Sequence, residues 1–167
     1  MRVSALSSGS SGNCFYIEKE NDAVLIDAGI SSKKIVERME TLDLDPKKIK
    51  GIFITHEHTD HIIGLDVFAR RFNLPIFATK GTISNGHLCS NKKLIREIKN
   101  NSKTYIGELE IGAFTKSHKA ADPVSFSISN KNKVISVITD AGYACKNINE
   151  NIARSNLLFL ESNEIFV

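Results

Sequence analysis

The sequence predicts a mixed α/β domain with more strand than helix. Short apolar runs bounded by Gly, Asn, Asp and Ser recur along the chain, as buried strands do. They are interrupted by a few stretches whose apolar residues repeat every three or four positions, as amphipathic helices do. Four apolar runs end in a residue able to ligate or orient: Val24-Leu25-Ile26 into Asp27, Ile52-Phe53-Ile54-Thr55 into His56, Val137-Ile138-Thr139 into Asp140, and Leu157-Leu158-Phe159-Leu160 into Glu161. In α/β proteins, strand ends are where a rigid backbone delivers side chains into a crevice.

Strands are expected at about 2–6, 14–18 and 23–26, the second alternating and so half-exposed. Ser31 offers an N-cap to a helix near 32–43, with Ile35, Val36, Met39 and Leu42 on one face. Residues 51–54 read as a buried strand. A helix over about 62–73 places Ile62, Leu65, Phe68 or Ala69, and Phe72 on one side, and Pro75 lies beyond its end. A short strand at 76–78 precedes a helix over 91–100. Strands at about 103–106, 108–115, 124–129 and 133–138, a helix near 147–155 and a strand at 157–160 complete the reading. No linker, internal repeat or low-complexity tract divides the chain.

At 167 residues and 41% hydrophobic content, the chain can bury one proper core. A net charge of +3 does not by itself imply a polyanionic partner. Cys14, Cys89 and Cys145 are odd in number and scattered, as reduced thiols in a cytoplasmic protein would be. The polar, Gly/Ser-rich N-terminus is no signal peptide, and no apolar run approaches the roughly 20 residues of a membrane span. A soluble, cytoplasmic protein is expected.

The chemistry concentrates in Thr55-His56-Glu57-His58-Thr59-Asp60-His61. Imidazole and carboxylate are ligands that borderline divalent metals prefer, and neutral imidazoles bind near pH 7 without first losing a proton. Three of the five histidines lie here, too dense a cluster for a solvated turn. A zincin needs His-Glu-x-x-His on one helical face, but the residue four after His56 is Asp60. The segment therefore reads as a loop that points His56 and His58 one way and Asp60 and His61 another, an arrangement suited to two adjacent metals.

Thr55-His56-x-His58-x-Asp60-His61, after Ile26-Asp27-Ala28-Gly29 and before His118 and Thr139-Asp140-Ala141-Gly142-Tyr143, resembles the metallo-β-lactamase superfamily. Within it, the opening Ser7-Ser8-Gly9-Ser10-Ser11-Gly12-Asn13 and the closing Glu161-Ser162-Asn163 are similar to the bacterial YycJ/WalJ branch. The resemblance implies a single αββα sandwich over 1–167 with two divalent metals where the sheets meet. Zinc is the metal expected, with manganese or iron as alternatives. His56, His58 and His118 would hold the first ion, Asp60 and His61 the second, and Asp140 would bridge both. Asp27 is expected to orient a ligand rather than bind metal. Relatives of this branch continue past this point and supply a further histidine. The chain ends at Val167 with Glu164 after the Glu-Ser-Asn triplet, so the fold's second half is expected to be incomplete. Lys119 stands where relatives often carry Asp.

The branch is described as DNA exonucleases. The function expected is therefore hydrolysis of a nucleic-acid phosphodiester, DNA rather than RNA, by a metal-bridging hydroxide, with Asp60 and Asp140 in catalytic roles. A small-substrate hydrolase of the thioester type and an inactive remnant that only binds metal are the alternatives. The loop 7–13 could bring backbone N–H groups and Asn13 to a phosphate, or be a simple turn. Lys92, Lys93, Arg96, Lys99 and Lys103 could contact a phosphate backbone, though a solvated helix face is the plainer reading. His87 and Cys89 read as structural, and the nine phenylalanines as core.

Overall fold

The computed structural model describes residues 1–161. Ser162, Asn163 and Glu164, which figured in the sequence reading, lie outside the described residues. Two sheets pack face to face. The first is six-stranded, in the order β1 (Arg2–Ser7), β2 (Cys14–Lys19), β3 (Asp22–Ile26), β4 (Ile49–Phe53), β5 (Ile76–Thr79), β6 (Ile95–Ile98). The second has five strands among the described residues, in the order β11 (Leu157–Leu160), β10 (Val134–Ile138), β9 (Val124–Ser129), β8 (Leu109–Thr115), β7 (Lys103–Ile106).

Period-two alternation along the strands divides the core into three layers. Phe15 and Ile17 of β2 and Val24 and Ile26 of β3 face the second sheet, meeting Ile111, Phe126, Ile128 and Val137. Tyr16 and Leu25, on the opposite face, pack under Ile35 and Met39 of α1 (Ser32–Thr41) and Leu65 and Phe68 of α3 (Leu65–Phe72). Beyond the second sheet, Phe114 and Ile138 meet Ile148 of α5 (Lys146–Arg154). The architecture is thus helices, sheet, sheet, helix, the αββα sandwich that the resemblance implied.

Three elements depart from the sequence reading. β2 is buried on both faces, not half-exposed, because it lies between β1 and β3 with helices on one side and the other sheet on the other. Its Glu18 is buried against the Tyr16 hydroxyl (2.8 Å) and the Lys48 ammonium. The helix expected over 91–100 is a 3-10 turn at Lys92–Leu94 followed by edge strand β6. Spacing of apolar Leu94, Ile95 and Ile98 satisfies a helix face, but β-branched isoleucines beside β5 favour the strand. The helix expected over 62–73 is two, α2 (Thr59–Ile62) and α3, broken at Gly64. Gly64 donates to the Ala28 carbonyl at 2.9 Å, and a Cβ there would lie 2.0 Å from the Ile30 oxygen. A helix not foreseen, α4 (Lys80–Asn85), follows β5. No described helix is long and apolar enough to cross a membrane.

Candidate metal centre

The site forms where β3, β4, β8 and β10 end on one edge of the sandwich. Asp27 follows β3 with φ of +60° and Asp140 follows β10 with φ of +49°. Aspartate tolerates this left-handed conformation better than most residues, and in both places it ends the strand and turns the carboxylate inward. The 55–61 loop leaves β4 and is held from behind by backbone. Asn13 N–H donates to the Asp60 carbonyl (2.8 Å), Ala28 N–H to the His61 carbonyl (2.8 Å), and a Cβ on Gly29 would lie 1.6 Å from the Asp60 oxygen.

Hydrogen bonds determine which nitrogen each ring presents. The Asp27 carboxylate accepts from Thr55 N–H (2.8 Å), from the Thr55 hydroxyl (2.8 Å) and from His61 Nδ1 (2.7 Å). Thr55 has a single hydroxyl hydrogen, and it is committed to Asp27. Its oxygen, 3.0 Å from His56 Nδ1, can then only accept from that ring. His56 is thereby protonated on Nδ1 and turns an unprotonated Nε2 inward, and His61 turns its own Nε2 inward.

Two donor groups result. His56, His58 and His118 offer ligand atoms within 4.8 Å of one another, and so do His56, His61 and Asp140. His56 Nε2 lies 3.0 Å from His58 Nδ1, which lies 3.2 Å from His118 Nε2. Asp140 Oδ2 stands between the groups, 2.7 Å from His61 Nε2 and 3.6 Å from His56 Nε2. Asp60 Oδ2 is 3.5 Å from His61 Nε2 on the exposed side. All six residues expected to bind metal therefore gather at one place, and Asp27 backs His61.

The electrostatics separate the two groups. Burial, with the charge of Lys116 and the neighbouring rings, pushes the pKa of His56 far down, and burial lowers that of His118. Both rings are thereby kept neutral, and His56 aims its Nε2 lone pair toward His58 Nδ1. Burial also opposes charge on His61, but the Asp27 and Asp140 carboxylates on either side prevail and raise it to about 10. Burial opposes the charge on Asp140, but the bond to His61 and the charges of His61, Lys116 and His118 together hold it down at about 2.

Asn13, expected to meet substrate, is fully buried. Its Oδ1 accepts from Gly9 N–H (3.2 Å) and its amide nitrogen lies 3.5 Å from His61 Nε2, which places it beside the nitrogen that His61 turns inward, beneath the loop 7–13. Ser10 and Ser11 instead face solvent, lining with Thr59, Asp60 and Ile63 a groove of about 480 Å³. Two residues escaped the sequence reading. Thr55 was noted only as part of the motif, without its hydrogen-bonding role. Lys116, 3% exposed, donates to the Thr139 carbonyl at 2.6 Å. The only signal for it was a lysine two residues before His118. His87 and Cys89 stay apart from the centre: the Cys89 thiol bonds Asp66, and all three cysteines are free.

The chain and its fold are similar to those of known proteins. The chain is 34% identical over 168 residues to the exodeoxyribonuclease YycJ of Bacillus anthracis, an alignment covering 98% of this chain and 63% of that protein. It is 34% identical over 169 residues to the exodeoxyribonuclease WalJ of Streptococcus pneumoniae, covering 97% and 62%. The chain thus spans just under two-thirds of the length of these curated relatives. Among solved structures, the metallo-beta-lactamase fold protein YhfI of Bacillus subtilis superposes with a TM-score of 0.73 at 14% identity, covering 93% of this chain and 68% of that one. The model of the metallo-beta-lactamase superfamily matches residues 8–152, and the chain belongs to that superfamily.

Proposed function

We propose that this protein is a metal-dependent phosphodiesterase acting on DNA, with His56, His58, His118 and Asp140, His61, Asp60 holding a pair of divalent cations, zinc in the first instance. The observation that carries the reading is the trio of imidazole nitrogens at 3.0 and 3.2 Å, two of them on rings that burial keeps neutral. A cation at the point these three nitrogens share would be ligated by all of them at once, which hydrogen bonds between the rings cannot achieve. The donor chemistry, nitrogen on one side and mixed nitrogen and carboxylate on the other, fits borderline divalent metal.

Bound there, such ions supply a water acidified to a pKa of about 7 and positive charge for an anionic transition state. The chain's own groups do the rest. Asp27 and Thr55 hold the rings of His61 and His56 in one tautomer. Asp140, between the two donor groups, would orient the attacking water, and Asp60, at the groove, would take its proton and return it to the departing sugar oxygen. A phosphodiester gains most from this concentration of positive charge, because its transition state is densely anionic. The two exodeoxyribonuclease relatives support DNA as the substrate.

The test is metal content together with cleavage of double-stranded DNA bearing a free 5′ end, run against single-stranded RNA and a thioester. Metal-dependent loss of the DNA, abolished in His58→Ala, is expected. Thioester turnover without DNA cleavage would replace this reading with a small-substrate hydrolase, and His58→Ala cleaving at the wild-type rate would end it.

A further inference from the structure

The Lys116 side chain has no place in the chemistry above, yet it is a cation buried beside it. It is 3% exposed, and its ammonium bonds are to Thr139. Its ammonium donates to the Thr139 carbonyl at 2.6 Å and lies 3.3 Å from the Thr139 hydroxyl. Burial lowers its pKa to about 8, opposed by the more distant Asp27, Asp140, Glu161 and Asp60. A buried cation bonded mainly to a neutral carbonyl costs several kcal/mol that packing with an apolar side chain would avoid.

We infer that Lys116 is a positioning residue that presets Asp140 against His118 before any metal arrives. β8 and β10 are not neighbours, because β9 runs between them. Lys116 leaves the end of β8, and its side chain reaches across the start of β9 to the carbonyl of the peptide that leads into Asp140. A second tie joins the same two segments, from Gly142 N–H to the Ser117 carbonyl at 2.8 Å. Asp140 is therefore gripped on both sides, at Thr139 and at Gly142, by Lys116 and Ser117, the two residues before His118. The grip sets the plane of the 139–140 peptide, and Asp140 leaves that plane with φ of +49°. Without Lys116, the fully buried Thr139 would keep a carbonyl with no donor. That peptide would rotate to find one, carrying the carboxylate away from its contacts with His61 and His56.

The experiment compares Lys116→Met, which has similar length but no donor, with Lys116→Arg, which keeps a donor and charge. In the metal-free chain, amide exchange over 139–142 is expected to quicken about tenfold or more in Lys116→Met while β2 to β4 keep their protection, and Lys116→Arg restores it. Affinity for Co(II), read from its visible absorption, should fall by about 10- to 100-fold in Lys116→Met and recover in Lys116→Arg. Unchanged exchange at 139–142 overturns the proposal, including the case in which Co(II) binds more tightly because only a repelling charge was lost. Uniformly faster exchange that Lys116→Arg does not rescue also overturns it, by reducing Lys116 to general stability. The inference uses the placement of Asp140 in the proposed centre but no turnover, so a wild-type chain inert on DNA would defeat the nuclease reading and leave this one standing.

Discussion

One hydroxyl hydrogen decides the face that His56 shows to the centre. Thr55 spends it on Asp27, which also grips His61 Nδ1, so a single buried carboxylate orients two rings. Partners behind metal ligands are worth about 10- to 100-fold in affinity or activity. Thr55→Val keeps the side chain's shape and removes the hydroxyl that joins Asp27 to His56, while the direct bond between Asp27 and His61 Nδ1 stays. Zinc affinity, measured by competition with a chromogenic chelator, is expected to fall about tenfold. Asp27→Asn disturbs both rings, and its loss should approach 100-fold. Equal affinity in Thr55→Val and wild type would show that the relay does not set the tautomer.

The elements carry the site through contacts remote from it. Phe53, on the central strand β4, stacks on Phe77 at 4.5 Å within its own sheet and meets Phe126 of the other sheet edge-on at 5.6 Å. Truncating such a fully buried aromatic costs about 3–5 kcal/mol, so Phe53→Ala should shift urea unfolding by that amount. An unfolding curve within 1 kcal/mol of wild type would mean that the two sheets do not lean on this ring. On α3, the Asp66 carboxylate accepts from Arg70 (2.9 Å), from Ser90 N–H (3.0 Å) and from the Cys89 thiol (3.2 Å), tying the helix to the segment before β6. The bond from Arg70 and those from Ser90 and Cys89 hold its pKa well below the ordinary carboxylate range despite some burial. A carboxyl depressed in the fold stabilises above its unfolded pKa of about 4 and loses that contribution as pH falls toward the native value. Asp66→Asn should therefore cost about 1–2 kcal/mol at pH 7, a deficit that begins to shrink as pH falls below about 4. A deficit that did not shrink on acidification would assign the loss to shape rather than charge.

For the molecule as a whole, the centre joins the two sheets. Asp27 and the 55–61 loop come from the first, and His118 and Asp140 from the second. A cation held across that seam stabilises the folded chain alone. Zinc at a hundred times its dissociation constant adds about 2.7 kcal/mol, which for a chain of this size raises the melting midpoint by roughly 5–10 °C. Chelator should reverse the shift, and His58→Ala should lose most of it. A midpoint indifferent to zinc would mean that metal does not bind the folded protein.

His56, His58, Asp60 and His61 were legible in the sequence because a contiguous loop carries its ligand spacing in its own residue order. The strands 124–129 and 157–160 were legible too, the first from strict alternation and the second from a short apolar run bounded by polar residues. The short β6 was not, because four residues cannot distinguish a helical period from a half-buried edge. Residue order could offer Asp27, His118 and Asp140 as strand ends or motif partners, but could not bring them together. His118 meets His58 across 60 positions of chain, and that meeting depends on two sheets closing over a shared apolar layer. The same closure buries Lys116 and Asn13, which in the sequence look like an ordinary surface lysine and a loop amide. Burial is a property of what packs against a residue, and only the tertiary structure supplies the neighbours.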